Sequence, residues 1–281
     1  MRAEQYWQKA MAQSDRAREL GALVPLSTEL LALPSLEPFR LRRLLSRTPK
    51  HLQAGGPKPN PFLPWDPDLQ VELLGSSHVV LLNKFPVQAA HLLLISQQWM
   101  PQAGWLSPTD WQAVAHVAAD TDGLWFFNSA AASGASQPHR HLQLLPRHLD
   151  EPSCPLDGQL EQQLAGSSRP WPWRYAISRR VDPSGHGDLE QLYHDHASQL
   201  GLGDPDQLPQ PLYPYNLLFN DRWFVTIRRV REHCAGFSLN ALGFAGYLLA
   251  TEQSDLGWLD QNGAWALLGQ VAAPAPTKLG S

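Results

Sequence analysis

SGASQPHRHLQLLP, residues 133–146, is the stretch on which the reading of this chain turns. From His141 to Leu144 polar and apolar residues alternate, as on a half-buried β-strand. A strand turns successive side chains to opposite faces, so His139, His141 and Gln143 line one face, each roughly 6 to 7 Å from the next. Leu142 and Leu144 then point into a core. Three polar groups in a row on such a face are costly without partners, so something polar must meet them. Just upstream, Ser133, Gly134, Ala135, Ser136 and Gln137 form a small-residue loop. Gly134 permits a tight turn, Ser133 and Ser136 offer hydroxyls, and several backbone amides can converge on an anion such as phosphate. Pro138 holds Gln137 extended and leads into the strand. The His-x-His pair by itself leaves metal binding, catalysis and a structural role open. Against metal, no Asp, Glu or Cys joins the three positions, and glutamine is a poor third ligand.

Working outward, LWFF at 124–127 reads as a short buried strand before the loop. Ser107-Pro108-Thr109-Asp110 opens a helix: Ser107 caps free amides, Pro108 suits the first position, and Asp110 suits the positive end. Trp111, Val114, Ala115 and Ala118 supply its apolar face. SHVVLLN and QAAHLLLIS read as two buried strands joined hairpin-fashion through Asn83-Lys84-Phe85-Pro86-Val87. Residues 49–67 are Pro-rich, with Gly55 and Gly56, and read as an irregular connection. Residues 3–20 read as an amphipathic helix stopped by Gly21. Beyond the central stretch, residues 150–187 show little regular pattern. Leu189, Leu192, Tyr193, His196 and Leu200 mark a helix, on which His194 and His196 read as surface or packing residues. YNLLFN and WFVTIRRV read as a strand pair turned by Asp221-Arg222. Residues 238–250 end the core. The expected organisation is a single catalytic unit over 1–281. An N-terminal half, 1–150, carries the histidines; a C-terminal half, 151–270, completes the site; and 271–281 is a tail without structure.

Composition narrows the function classes. The chain has 281 residues, 43% of them hydrophobic, enough for a full core. Its 22 basic and 26 acidic residues give a net charge of −4 with no basic run, which disfavours nucleic acid as a partner. The two cysteines, Cys154 and Cys234, are too few for a zinc site and too isolated for a disulfide framework. No apolar run approaches the ~20 residues that span a bilayer, and the first residues lack a signal-peptide pattern. The expectation is a cytoplasmic protein without a membrane partner.

The string SGASQPHRHLQLLP resembles the active-site signature of the histidine-triad superfamily, in its transferase branch, where glutamine replaces the last histidine. More narrowly, NPFLPWDPDL, LLNKFPVQAAHLLLIS, the central string, YNLLFNDRW and SLNALGFAGYLLA resemble, in that order, the diadenosine tetraphosphate phosphorylase (ATP adenylyltransferase) family across about residues 39–250. The resemblance implies an α+β fold, a histidine-triad-like antiparallel sheet with packed helices in two related halves. It implies that His141 attacks the α-phosphorus of diadenosine tetraphosphate, that ATP leaves, and that inorganic phosphate releases ADP from the adenylyl-histidine. His139 would orient the site. Gln143 would hydrogen-bond phosphate oxygens without adding a titrating proton that favours water attack. Lys50, Asn83, Lys84, Asn128, Gly134, Ala135, Ser136, Gln137, Asn240, Ala241 and Leu242 match the family's nucleotide- and phosphate-contacting positions. Near Thr251 a lysine present in some relatives is missing, leaving Arg228, Arg229 or Arg231 to supply charge. No metal or other cofactor bound by the protein alone is implied; Mg²⁺ can arrive with the polyphosphate. Competing readings are a hexose-1-phosphate uridylyltransferase-like enzyme, a hydrolase, which Gln143 disfavours, and a non-catalytic sensor of dinucleoside polyphosphates.

Overall fold

The alternation read from the central stretch is what builds the sheet. The computed structural model describes residues 2–46, 60–146, 153–182 and 186–276. Five strands come from the first half: β3 (Gln70–Leu74), β4 (His78–Leu82), β5 (Leu92–Ser96), β6 (Gly123–Asn128) and β7 (His141–Pro146). Three come from the second: β8 (Tyr175–Arg179), β9 (Tyr215–Phe219) and β10 (Trp223–Arg228). They form one antiparallel sheet in the order β3-β4-β5-β7-β6-β9-β10-β8, so the halves meet where β6 pairs with β9. The expected α+β arrangement is therefore present, with one sheet continuous through both halves.

One face of this sheet carries Val80, Leu82, Leu92, Leu94, Leu142 and Leu144. It is covered by α1 (Gln5–Glu19), α2 (Pro108–Asp120) and α4 (His186–Gln199), through Ala10, Trp111 and Tyr193 among others. On the other face, Leu124, Phe126, Leu218, Val225 and Ile227 pack beneath α3 (Asp157–Leu164), α5 (Ala241–Ala245) and α6 (Leu256–Val271). Val79, Leu81, Leu93 and Ile95 on that same face gather around Phe62. A second sheet orders β1 (Thr28–Leu31), β2 (Arg40–Leu44) and β13 (Tyr247–Ala250), with β13 parallel to β2. A short hairpin pairs β11 (His233–Cys234) with β12 (Phe237–Ser238).

Several sequence expectations need correction. Residues 150–187 were expected to be irregular, yet they hold α3 and β8. The tail expected from 271 onward begins inside α6: Val271, Ala272 and Ala273 are buried, and Pro274 bridges to Trp173. Residues 277–281 lie outside the described ones, as does Lys50. The helix α6 itself escapes a periodicity search because Gly263 sits at φ 80°, ψ 163° inside it. The kink resets the 3.6-residue register, so no single apolar stripe runs its length.

A buried charged pair fastens α2 to the start of β7. Ser107 and Asp110 form a capping box at the helix N-terminus. The Asp110 carboxylate also accepts from Arg140 Nη1 at 2.7 Å and lies 3.0 Å from His78 Nε2. Arg140 Nη2 donates to the Pro101 carbonyl at 2.9 Å. Arg140, the residue between the two histidines, is thus anchored on the α2 side of the sheet while its neighbours face the other way. Removing one partner of such a pair strands a buried charge. Asp110→Ala is expected to lower the unfolding free energy in urea by about 3–5 kcal/mol. A loss below about 1 kcal/mol, typical of a surface pair, would show that Arg140 is not held by this charge.

Candidate active site

His141 opens β7 at a place where the sheet is parted. Strand β6 pairs with β7 only as far as Phe126 opposite Gln143. Beyond it the Gln102 side chain fills the gap. Its Oε1 accepts from the His141 amide at 2.8 Å, and its Nε2 donates to the carbonyls of Asn128 (2.8 Å) and His141 (3.1 Å). A side-chain amide thus stands in for a backbone partner and holds the histidine's main chain on both sides. The His141 ring lies 2.7 Å, through Nδ1, from the His139 carbonyl. A carbonyl can only accept, so Nδ1 carries the proton and Nε2 carries the lone pair. Nε2 has no hydrogen-bond partner among the described residues. Burial pushes the ring's pKa down to about 4, so it is neutral at pH 7. A neutral imidazole with one nitrogen tied back and the other free can serve as a nucleophile.

His139 has the opposite tautomer. It is fully buried, and its Nε2 lies 2.8 Å from the Ser96 carbonyl, which fixes the proton there. Its Nδ1 then accepts from Asn60 Nδ2 at 3.0 Å. Both nitrogens are used within the protein. Phe62 packs against both imidazoles, its ring centroid 5.6 Å from His139 and 5.5 Å from His141.

A hydrogen-bond chain orients Gln143. The Phe85 amide donates to Asn83 Oδ1 at 3.1 Å, turning the Asn83 NH₂ group toward His91 Nδ1, 3.1 Å away. His91 Nε2 must then carry its proton, and it donates to Gln143 Oε1 at 3.0 Å. The remaining group on Gln143 is its NH₂, a pure donor. Burial pushes His91 down to about 4, so this relay is neutral at pH 7. His91 was not singled out from the sequence. Its signal was a histidine heading an apolar strand.

The loop before the strand differs from the anion cradle expected of it. The amides of Ser133, Gly134 and Ala135 bond to the carbonyls of Ala130, Ala131 and Ala130. The buried Ser133 hydroxyl bonds both the amide and the carbonyl of Ala130. Those groups serve as internal struts of the loop. The amides of Ser136 and Gln137 stay without a partner among the described residues, Ser136 is exposed, and Gln137 Oε1 is buried and unpaired. Gly134 has φ +89°, and a Cβ there would lie 2.6 Å from Asn240 Cβ. Only glycine allows this contact, which docks the Asn240–Leu242 segment on the loop. Asn128 joins the same junction: its Oδ1 accepts from Asn216 Nδ2 (2.8 Å) and from the Ala241 amide (2.9 Å). Asn240 Oδ1 caps the Leu242 amide at 2.9 Å. The Asn128 oxygen and the Ala241 and Leu242 amides are thus engaged within the protein. Lys84 is exposed, its ammonium 4.0 Å from Asp66 Oδ2. Among the described residues no group of three or more His, Cys, Asp or Glu is placed to hold a metal ion, and no helix is long and apolar enough to cross a membrane. His196 packs in the core, bonding Ser178 and Thr226.

Burial lowers His91, His141 and His196 each to about 4. As pH falls below about 6.5 the unfolded chain takes up protons that the folded rings refuse until about pH 4, so stability drops through that window. The urea midpoint is expected to fall between pH 7 and pH 4.5. A midpoint unchanged over that range would mean that the rings protonate freely in the folded state.

Residues 1–162 match the family described as Ap4A phosphorylase N-terminal domain, and residues 169–274 the ATP adenylyltransferase C-terminal domain. Protein APA1 of Saccharomyces cerevisiae is 38% identical over 76 residues, 25% of this chain and 24% of that protein. Diadenosine 5',5'''-P1,P4-tetraphosphate phosphorylase 2 of the same organism is 34% identical over 100 residues, 31% of each chain. These alignments span less than a third of either relative. The fold is similar to that of yeast Ap4A phosphorylase Apa2 in complex with AMP, with a TM-score of 0.74 and 21% identity over 100% of both chains. For Apa2 in complex with Ap4A the TM-score is 0.72 at 22% identity, over 99% of this chain and 100% of that one. With its first family match covering more than half of its length and the second following in order, the chain belongs to the Ap4A phosphorylase family.

Proposed function

We propose that this protein cleaves diadenosine tetraphosphate by phosphorolysis, giving ATP and ADP through an adenylyl group carried on His141. The observation that carries the reading is the His141 ring: Nδ1 tied to the His139 carbonyl, Nε2 free, and the whole imidazole neutral at pH 7. Family membership and a curated relative named as a diadenosine tetraphosphate phosphorylase support the choice of substrate.

In the first step the Nε2 lone pair attacks the α-phosphorus, the bond to the bridging oxygen breaks, and ATP leaves with the electron pair. Positive charge developing on the ring is met at Nδ1–H by the His139 carbonyl. A nucleoside triphosphate is already a good leaving group, so donation from the Gln143 NH₂ suffices without a strong acid. In the second step an oxygen of inorganic phosphate attacks the same phosphorus, the N–P bond breaks, and ADP departs. His139, fixed from both sides, acts as the positioning residue for the His141 backbone. The free amides of Ser136 and Gln137 are the remaining anion donors of the loop. Lys84, exposed beside Asn83, can reach a polyphosphate as a flexible point charge. A divalent ion such as Mg²⁺ entering on the polyphosphate needs no dedicated protein ligands. The two halves share one sheet and act in this reading as a single catalytic unit, in the cytoplasm.

Incubation with diadenosine tetraphosphate is expected to yield equal amounts of ATP and ADP only when phosphate is present. ATP plus AMP without phosphate would overturn phosphorolysis in favour of hydrolysis. His141→Ala is expected to lose the covalent adenylyl adduct and at least about 10⁴-fold in kcat, while substrate binding persists. An adduct that survives in this variant would move the nucleophile elsewhere, and no adduct in the wild type would favour the sensor reading.

A further inference from the structure

Arg229 follows β10 and is fully buried, with no carboxylate within 4.0 Å among the described residues. All five of its donor directions are used. Nε donates to the Val271 carbonyl at 3.1 Å. Nη1 reaches the Ser133 carbonyl at 3.3 Å and bonds Asn216 Oδ1. Nη2 donates to the carbonyls of Arg231 at 2.7 Å and Leu239 at 2.9 Å. A guanidinium so engaged has no donor left for a substrate. It does join the two segments that meet at Gly134, since Ser133 precedes that glycine and Leu239 precedes Asn240.

We infer that Arg229 is the positioning residue that locks the loop 133–137 against the segment 239–242 and leaves a positive charge behind that junction for a polyphosphate. The inference rests on the polyphosphate reading above. Three features support it. First, the relay is closed: Arg229 holds Asn216 Oδ1, Asn216 Nδ2 donates to Asn128 Oδ1 and the Ser133 carbonyl, and Asn128 Oδ1 receives the Ala241 amide. Second, a trans peptide puts carbonyl and amide on opposite sides, so anchoring the Leu239 carbonyl turns the Asn240 amide away from Arg229. That amide, like those of Ser136 and Gln137, has no partner among the described residues. Third, among the described residues no carboxylate lies within 4.0 Å of the charge, and Glu232 acts on it only from farther away. Burial lowers its pKa to about 9, yet it remains charged at pH 7, and a buried charge acts over distance with little screening. Arg229, not Arg228 or Arg231, is the basic residue joined to the loop: Arg228 bonds the Leu200 carbonyl and lies over Tyr213, and Arg231 bonds Gln270.

Tripolyphosphate binding tests this without requiring turnover. Arg229→Lys keeps a charge but not the five-way fork. It is expected to remain folded by circular dichroism and to bind tripolyphosphate at least about tenfold more weakly, the scale of lost charged hydrogen bonds. KM for diadenosine tetraphosphate should rise by a similar factor with kcat within about threefold, because His141 is held by other groups. A lowered Tm with unchanged tripolyphosphate affinity and KM would reduce Arg229 to a purely structural role and overturn the inference. If the variant does not fold, hydrogen exchange on the intact protein decides. Tripolyphosphate is expected to protect residues 133–137 and 239–242 together; protection of one segment alone, or no binding by the wild type, overturns it. Tripolyphosphate binding without phosphorolysis would instead sink the proposed reaction and leave this inference standing.

Discussion

The hydrogen bond from His141 Nδ1 to the His139 carbonyl is the constraint around which the site is arranged. It fixes which nitrogen keeps a lone pair, and it works only if the backbone from His139 to His141 cannot shift. Three independent holds enforce that. Gln102 grips the His141 amide and carbonyl, His139 is pinned by Ser96 and Asn60, and Arg140 is tied to Asp110 behind the sheet. Consecutive residues are thus fastened on alternating faces. The pleat of the strand makes this possible, because it sends neighbouring side chains to opposite sides. The same pleat keeps the buried ion pair of Arg140 away from the face on which a nucleotide would lie.

The polar groups around the histidines are oriented by a single direction of hydrogen bonding. A backbone amide at Phe85 determines the carboxamide of Asn83, which determines the tautomer of His91, which determines the carboxamide of Gln143. Each link is neutral and His91 at its centre is buried, so the orientation holds without ionised side chains. A histidine in place of Gln143 could exchange its donor and acceptor by taking up a proton. Glutamine cannot, and its NH₂ group stays a donor. The loop before β7 follows a similar logic, with inner amides closed on its own carbonyls and only its outer amides open. Rigidity comes from the part that cannot bind, and binding capacity from the part that the rigid turn presents.

Much of this was legible in the sequence wherever a local rule sufficed. The strand pairs, the capped helix from Ser107 and the shared face of His139, His141 and Gln143 all follow from alternation and capping, which depend on near neighbours. The resemblance, carried by the string around His141, led to the family that the domain matches bear out. Other features were hidden for physical reasons. Helix α6 bends at Gly263 and loses its periodicity. Strand β8 joins only the edge of the sheet, among prolines and tryptophans that look like loop. Gln102 lies in a loop whose composition has no signature, and its role depends on a gap between two strands far from it in sequence.

That a strand presents two histidines and a glutamine on one face, after a glycine loop, follows from the residue order alone, because side-chain direction is set by backbone geometry within a few residues. Folding in three dimensions settles how the His141 main chain is held, which end of Gln143 points outward and where the Gly134 loop docks. Those outcomes depend on donors and acceptors brought from Gln102, His91, Asn216 and Arg229, tens of residues away along the chain. Direction in a hydrogen bond belongs to both partners, and the second partner is known only once the chain has folded.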